Sequence, residues 1–239
     1  MNFSATDRAA ALFAYHQEHV VACERCPLHL TRTQVVLGSG DPTAAVMFVG
    51  EAPGYHEDRS GVPFVGQAGK LLDQLLQGIG LTRERVFVAN VLKCRPPENR
   101  DPLPGEIEAC EPHLFRQVAI IQPKLICTLG NFATKLLSGR PDGISKVHGA
   151  ELNITLAGTP TILYPLYHPA AALYMPSIRA TLEADFARIP ELVGAVARLA
   201  ASEPQPTVTG GTAPAPAALV PEARMDESTT GAEGQMGLF

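Results

Sequence analysis

The 239-residue sequence has no tryptophan, no long apolar run, no secretory leader pattern and no surplus of positive charge. No stretch approaches the roughly 18 uninterrupted apolar residues of a membrane span, which excludes a helical membrane protein. Residues 1–6 lack the basic region and apolar run of a signal peptide, so a cytoplasmic location is expected. Five cysteines, an odd number without a secretion signal, argue against a disulfide framework. The net charge of −5 by itself speaks against a nucleic-acid partner. What the chain does have is apolar content, 46% of residues, enough to build a core and to exclude a fully disordered protein.

The charge is unevenly placed. Residues 202–239 are rich in Pro, Gly, Ala, Thr and Glu and hold five acids against one base, so they account for four of the five net negative charges. Such a segment buries too little apolar surface to offset its ordering entropy. The expected organisation is a folded domain over residues 1–201, a disordered Pro/Gly/Ala-rich linker over 202–234 and a short terminal peptide over 235–239. The folded part is nearly neutral.

Within that part, short apolar runs alternate with helical periodicity. Residues 44–50, 85–91, 124–129 and 161–167 read as strands. Leu71, Leu72, Leu75, Leu76 and Ile79 recur at helical spacing, with Gly80 as a stop. Pro104 suits a first helical position ahead of the stripe Ile107, Cys110, Leu114, Val118 and Ile121. Further helices are expected over 131–137 and 177–200. This alternation predicts an α/β fold, a three-layer α/β/α arrangement around a mostly parallel sheet. Ligands in such sheets bind beyond the carboxyl ends of the strands, which directs attention to the loops after Val49, Val91 and Tyr167.

Cys23 and Cys26 form a C-x2-C pair whose two thiolates reach one centre from a single turn. Cys94 follows a strand and Cys110 lies on the next helix. Four sulfur ligands suit a zinc ion or an iron–sulfur cluster, and the competing reading is a set of buried apolar cysteines. Cys127, inside an apolar strand, reads as a small core residue.

The strand-end loops carry Gly50-Glu51-Ala52-Pro53-Gly54, then Gly61-Val62-Pro63-Phe64-Val65-Gly66, then Asn90 with Lys93-Cys94-Arg95-Pro96-Pro97-Glu98-Asn99-Arg100, and His168-Pro169-Ala170-Ala171-Ala172-Leu173. The first lacks the G-x-G-x-x-G spacing of a dinucleotide site. Together, CERCPLHLTRTQVVLGSGDP, FVGEAPG, GVPFVGQAGKLLD, VANVLKCRPPENRDPLP and YHPAAAL closely resemble the family 4 uracil-DNA glycosylases, the iron–sulfur branch of that superfamily. The resemblance spans roughly residues 20–190.

It implies a uracil-DNA glycosylase-like fold, a 4Fe–4S cluster on Cys23, Cys26, Cys94 and Cys110, and uracil-containing DNA as the substrate. Hydrolysis of the N-glycosidic bond would release uracil and leave an abasic site, the first step of base excision repair. A flipped-out uracil would lie against Gly50, Glu51 and Ala52 and stack on Phe64. Asn90 would pair with its O4 and N3 edge, rejecting cytosine by leaving a buried group unpaired. His168 would donate to O2 as negative charge develops there. Ala52 stands where other branches of the superfamily place an Asp, so no strong base comes from it, and Asn99 is the candidate for holding the attacking water. Of Glu51 and Glu57, one is expected near uracil C5, where it would disfavour thymine. The plainer alternative makes Glu51 a loop cap or salt bridge and Glu57 a surface acid.

Lys93, Arg95, Arg100 and Lys146 are expected at DNA phosphates. Leu173 or Tyr174 takes the place of the residue that wedges into the gap left by the flipped base. The terminal Gln235, Met236, Gly237, Leu238 and Phe239 are similar to the pentapeptide by which bacterial repair proteins dock on the sliding clamp. A monomer is expected. The alternative function is a non-catalytic, metal-stabilised DNA-binding repair module.

Overall fold

In a computed structural model, residues 4–202 are described, and they belong to one compact unit, Met1–Glu203. The expected linker beyond Ser202 and the peptide at 235–239 lie outside the described residues.

Helix α1 (Ala5–Tyr15) starts at Ser4, whose hydroxyl accepts from the Asp7 amide while the Asp7 carboxylate accepts from the Ser4 amide. These reciprocal bonds satisfy donors that a helix start leaves open. A π turn at His16–Val20 and a 3-10 turn at Pro27–Leu30 bracket the C-x2-C segment. The chain then alternates as β1 (Ser39–Gly40), β2 (Val46–Gly50), α2 (Tyr55–Ser60), α3 (Gln67–Gly78), β3 (Phe87–Asn90), α4 (Pro104–Ile121) and β4 (Leu125–Leu129). It continues with α5 (Asn131–Ser138), α6 (Ile144–Val147), β5 (Leu152–Leu156), β6 (Thr159–Leu166), α7 (Pro169–Ala172), α8 (Pro176–Ala187) and α9 (Ile189–Ser202).

The six strands form one sheet in the order β1-β3-β2-β4-β6-β5. The four central strands are parallel, and β1 and β5 pair antiparallel at the edges. Alternation along β2 builds two cores from one strand. Met47 and Val49 face the layer containing Leu114, Val118 and Ala133, while Val46 and Phe48 face Leu72, Leu76, Leu182 and Phe186. A central strand buried on both faces reads as a continuous apolar run, which is why residues 44–50 were legible.

Several elements depart from the sequence expectation. The edge strands β1 and β5 carry no strong apolar run, since β5 alternates half-buried with exposed positions. The single helix expected over 177–200 is two helices, α8 and α9, with Arg188 at the C-cap of α8 and Pro190 just inside α9. Proline has no N–H to continue the ladder of the preceding helix, so a new helix begins with it in the first turn.

Sheet register fixes the site. Gly50 and Asn90 are directly paired at the carboxyl ends of β2 and β3. Leu129 pairs with Leu166 at the ends of β4 and β6, and the Gly130 amide donates to the Leu166 carbonyl at 2.9 Å. Four strand-end loops therefore open on one edge.

Candidate functional site

A cavity of about 510 Å³ lies at that edge. Glu51, Ala52, Phe64, Asn90, Asn99 and His168 all line it, joined by Glu57. Gly50 lies beneath two of them. A Cβ there would approach the Asn90 Oδ1 within 2.5 Å and the Phe64 ring within 2.6 Å, so only glycine lets both side chains sit at the strand end.

Phe64 adopts φ 53, a left-handed conformation rarely taken by an aromatic residue. Arg83 holds it. The guanidinium donates to the carbonyls of Phe64 (2.7 Å), Pro63 (3.2 Å) and Gly69 (3.3 Å), and is itself paired with Asp73 at 2.5 Å. The Phe64 ring stacks near-parallel to the His168 ring, centroids 5.7 Å apart and planes 26° from each other.

His168 caps α7, its Nδ1 accepting from the Ala170 amide at 3.0 Å. An Nδ1 that accepts leaves Nε2 as the N–H of a neutral ring. Burial pushes the His168 pKa down to about 4, against a smaller opposing pull from Glu57, so the ring is neutral at physiological pH. Gly130, with φ 92, passes close beneath it; a Cβ there would lie 3.3 Å from that of His168.

Asn90 is 2% exposed, and its carboxamide oxygen has no hydrogen-bond partner. An unpaired buried acceptor costs about 1–3 kcal/mol, which a ligand donor in the cavity would recover.

The two glutamates divide differently from expectation. Glu57 is the cap: Oε1 accepts from the amides of Val65 and Gly66, both at 2.9 Å, and Oε2 accepts from the Gly54 amide at 3.1 Å. One carboxylate thus ties the loop after β2 to the Phe64 loop, and Glu57 is not a free surface acid. It also occupies the Gly54 amide. Glu51 has no such engagement. Burial, with a smaller contribution from Asp101, pushes its pKa up to about 7.

Asn99 is exposed at the cavity rim with φ 55, next to Glu98 at φ 56. Its Oδ1 accepts from Arg95 Nε at 2.7 Å. The same guanidinium lies over the Tyr55 ring, 5.3 Å from the centroid.

Lys93 does not face DNA. It is 1% exposed, and Nζ donates to the Asn90 carbonyl and to Gln117 Oε1, both at 2.7 Å. Placed at the strand end where α4 packs across, its stem is directed into the protein rather than along the loop. Burial lowers its pKa to about 8 against the opposing pull of the Cys110 and Cys94 sulfurs. Arg100 is half-buried and forked onto Glu106, at 2.9 and 2.6 Å, where Glu106 also caps the Leu103 amide ahead of α4. Lys146 is exposed and ion-paired with Asp142 at 2.6 Å. Beyond α7, Leu173, Tyr174 and Met175 stand 40%, 85% and 51% exposed, a large apolar projection next to the cavity wall formed by Ala170 and Ala171.

Cys23, Cys26, Cys94 and Cys110 converge on a second, small cavity that also touches Arg32, Lys93 and His113. Three sulfurs have nitrogen partners at 3.3 Å: Cys94 with Arg32 Nη1, Cys110 with the Lys93 amide and Cys23 with His113 Nε2. His113 is held in turn by the Tyr15 hydroxyl at 2.8 Å. Burial pushes the Cys110 thiol up to about 11 and raises that of Cys94. Cys127 is fully buried away from this cavity, in the core.

Comparison with known proteins decides the family. A model of the uracil DNA glycosylase superfamily matches residues 37–189. The chain is 50% identical over 181 residues to a type-4 uracil-DNA glycosylase of Sulfurisphaera tokodaii, covering 74% of this chain and 82% of that protein. The type-4 uracil-DNA glycosylase of Archaeoglobus fulgidus is 47% identical over 179 residues, covering 73% and 90%. That of Saccharolobus solfataricus is 47% identical over 179 residues, covering 73% and 83%. The chain belongs to the uracil-DNA glycosylase superfamily. Within the superfamily, its similarity is to the type-4 members, matching the resemblance read from the loop motifs.

Sequence reasoning missed Arg83, Glu57 as a clamp, and the Arg32 and His113 partners of the cysteines. Arg83 lies 19 residues from Phe64, and nothing local marks it; only the α3 packing brings its guanidinium under the loop.

Proposed function

We propose that this chain excises uracil from DNA by hydrolysing the N-glycosidic bond of a flipped-out deoxyuridine, initiating base excision repair. The observation that carries the reading is the unpaired, buried carboxamide oxygen of Asn90, a residue that lines the same cavity as a neutral His168 ring stacked on Phe64. Uracil N3–H is the donor Asn90 Oδ1 lacks, and the Asn90 amide donates to O4. Cytosine offers an unprotonated N3 and an amino group at those positions, so both contacts fail.

As the glycosidic bond breaks, its electron pair moves into the uracil ring and charge gathers on O2. His168 Nε2–H is the donor for that oxygen, and a preorganised donor of this kind is worth about 3–4 kcal/mol of barrier. The sugar becomes strongly electrophilic, so water needs placing more than activating. Asn99, with Oδ1 taken by Arg95, keeps its amide to donate, and Glu51 supplies an acceptor when ionised. Glu51 and Asn99 thus flank the water, and Ala52 leaves it room. The Leu173–Tyr174 projection is the wedge, and Arg95 and Lys146 are the phosphate contacts.

Four thiols suit a 4Fe–4S cluster, the centre that the resemblance to family 4 implies. They line one cavity. A cluster held there would cross-link the C-x2-C segment, the loop after β3 and α4. Cys23, Cys26, Cys94 and Cys110 would hold it.

The peptide ending in Leu238 and Phe239 is the proposed clamp ligand, on a tether of about 30 residues that raises local concentration. Deleting it should abolish clamp binding and leave excision unchanged. No helix among the described residues is long and apolar enough to cross a membrane, and the proposed location is the cytoplasm. Incubation with a uracil-containing oligonucleotide tests the central reading: free uracil and an alkali-labile abasic site are expected. Their absence from metal-replete protein defeats it, in favour of a non-catalytic repair module.

A further inference from the structure

Between the cysteine cavity and the uracil cavity runs a buried polar network that the excision chemistry does not use. Lys93 lies three residues after Asn90 and one before Cys94, fully enclosed. Its backbone N–H donates to Cys110 Sγ at 3.3 Å, and its Nζ donates to the Asn90 carbonyl and to Gln117 Oε1. Gln117, on α4, is anchored by its own Nε2 to His16 Nε2 at 2.8 Å and to the Leu37 carbonyl. The sulfurs of Cys94 and Cys110 line the cavity that Lys93 also borders. An enclosed ammonium persists only where its charge is balanced and its donors are engaged. Here the backbone N–H reaches the cysteine side and the side-chain donors reach the uracil side.

We propose that Lys93 is a positioning residue that couples the cysteine centre to uracil recognition, holding the Asn90 main chain, and with it the carboxamide, in register with Gly50 and Phe64. The Asn90 side chain has no hydrogen bond on its oxygen to orient it before a base arrives. Its placement therefore depends on its backbone, and Lys93 Nζ is the side-chain donor on that carbonyl. The inference rests on reading Asn90 as the partner of the uracil edge.

The test uses the full-length, metal-replete protein and its Lys93→Met variant, with Gln117→Met as a second way to loosen the same ammonium. Fluorescence anisotropy measures binding to an oligonucleotide carrying a non-hydrolysable 2′-fluoro-arabino deoxyuridine against the same strand carrying cytidine. Visible absorbance and iron content report on the cysteine centre. Lys93→Met keeps the backbone N–H on Cys110, so the chromophore should survive. The preference for uracil should fall by about tenfold or more, the scale of a misplaced pair of hydrogen bonds. Binding to undamaged DNA should stay within about twofold, since no phosphate contact is lost. A variant that keeps both its chromophore and its uracil preference overturns the inference. So does loss of fold and chromophore together in both variants, because Lys93 would then serve the cysteine centre alone. A wild-type protein without uracil preference defeats the reading of Asn90 itself, a separable result.

Discussion

The strand-end cavity and the cysteine cavity are built on opposite terms. At the cysteine centre nearly every polar group has a partner: three sulfurs meet N–H donors, Arg32 also spans the Cys23 and Val21 carbonyls, and His113 is fixed by Tyr15. At the strand-end cavity, partners are withheld. Asn90 keeps an unpaired oxygen, Glu51 is destabilised as an anion, His168 is held neutral and Phe64 sits in a disfavoured backbone region. Satisfied networks stabilise and unsatisfied ones bind, so one region supplies the rigidity that the other needs.

The largest expected effect tests the rigid side. Cys110→Ser should lose the visible chromophore and with it cooperative thermal unfolding, because one ligand holds α4 to the loop after β3; retained chromophore with unchanged Tm would break the comparison. Next, His168→Ala should lower kcat by about 10²–10³, the scale of one lost oxyanion donor, with the chromophore intact. Single-turnover excision measures it, and a loss below about fivefold would remove His168 from the chemistry. Asn90→Ala should reduce uracil over cytosine discrimination by about 10–100-fold while barely altering affinity for undamaged DNA, read by competition binding.

Smaller effects follow pH. The folded-state pKa of Glu51 is raised, so its contribution to stability is fully present below about 4.5 and is lost as pH rises toward 7. Glu51→Gln should flatten that decline in a denaturant series across this window. His168 has the opposite sign: its folded-state pKa is lowered, so stability is lost as pH falls from 6.5 toward 4. The smallest effect is expected at Glu57→Gln, which keeps one acceptor for the Val65 and Gly66 amides. It should lower Tm by only a few degrees, about 1 kcal/mol, and slow excision modestly by loosening Phe64.

The central strands, α3, α4 and the positions of Asn90 and His168 were legible because buried parallel strands read as apolar runs and their carboxyl ends mark the loops. Edge strands β1 and β5 were not, since half-exposed pairs leave no such run. Among site residues, the Gly50–Gly54 turn was readable from glycine and proline chemistry, while Phe64 was read from the resemblance of its loop to the family 4 uracil-DNA glycosylases. Lys93 was misread: a lysine beside loop arginines looks like a phosphate contact, and its spacing carries no record of which way the stem turns. Glu51 and Glu57 could not be told apart, because capping depends on where three amides converge and not on where the acid lies in the chain.

By itself the sequence determined the alternation of layers through local periodicity, while the four thiols and the side chains of uracil excision were read through the resemblance of its motifs to family 4 uracil-DNA glycosylases. Only the tertiary structure decided which polar groups end up paired. That choice placed Lys93 between the two sites, gave Glu57 to the loops and left the Asn90 oxygen open, because hydrogen-bond partners are assigned by packing across distant segments.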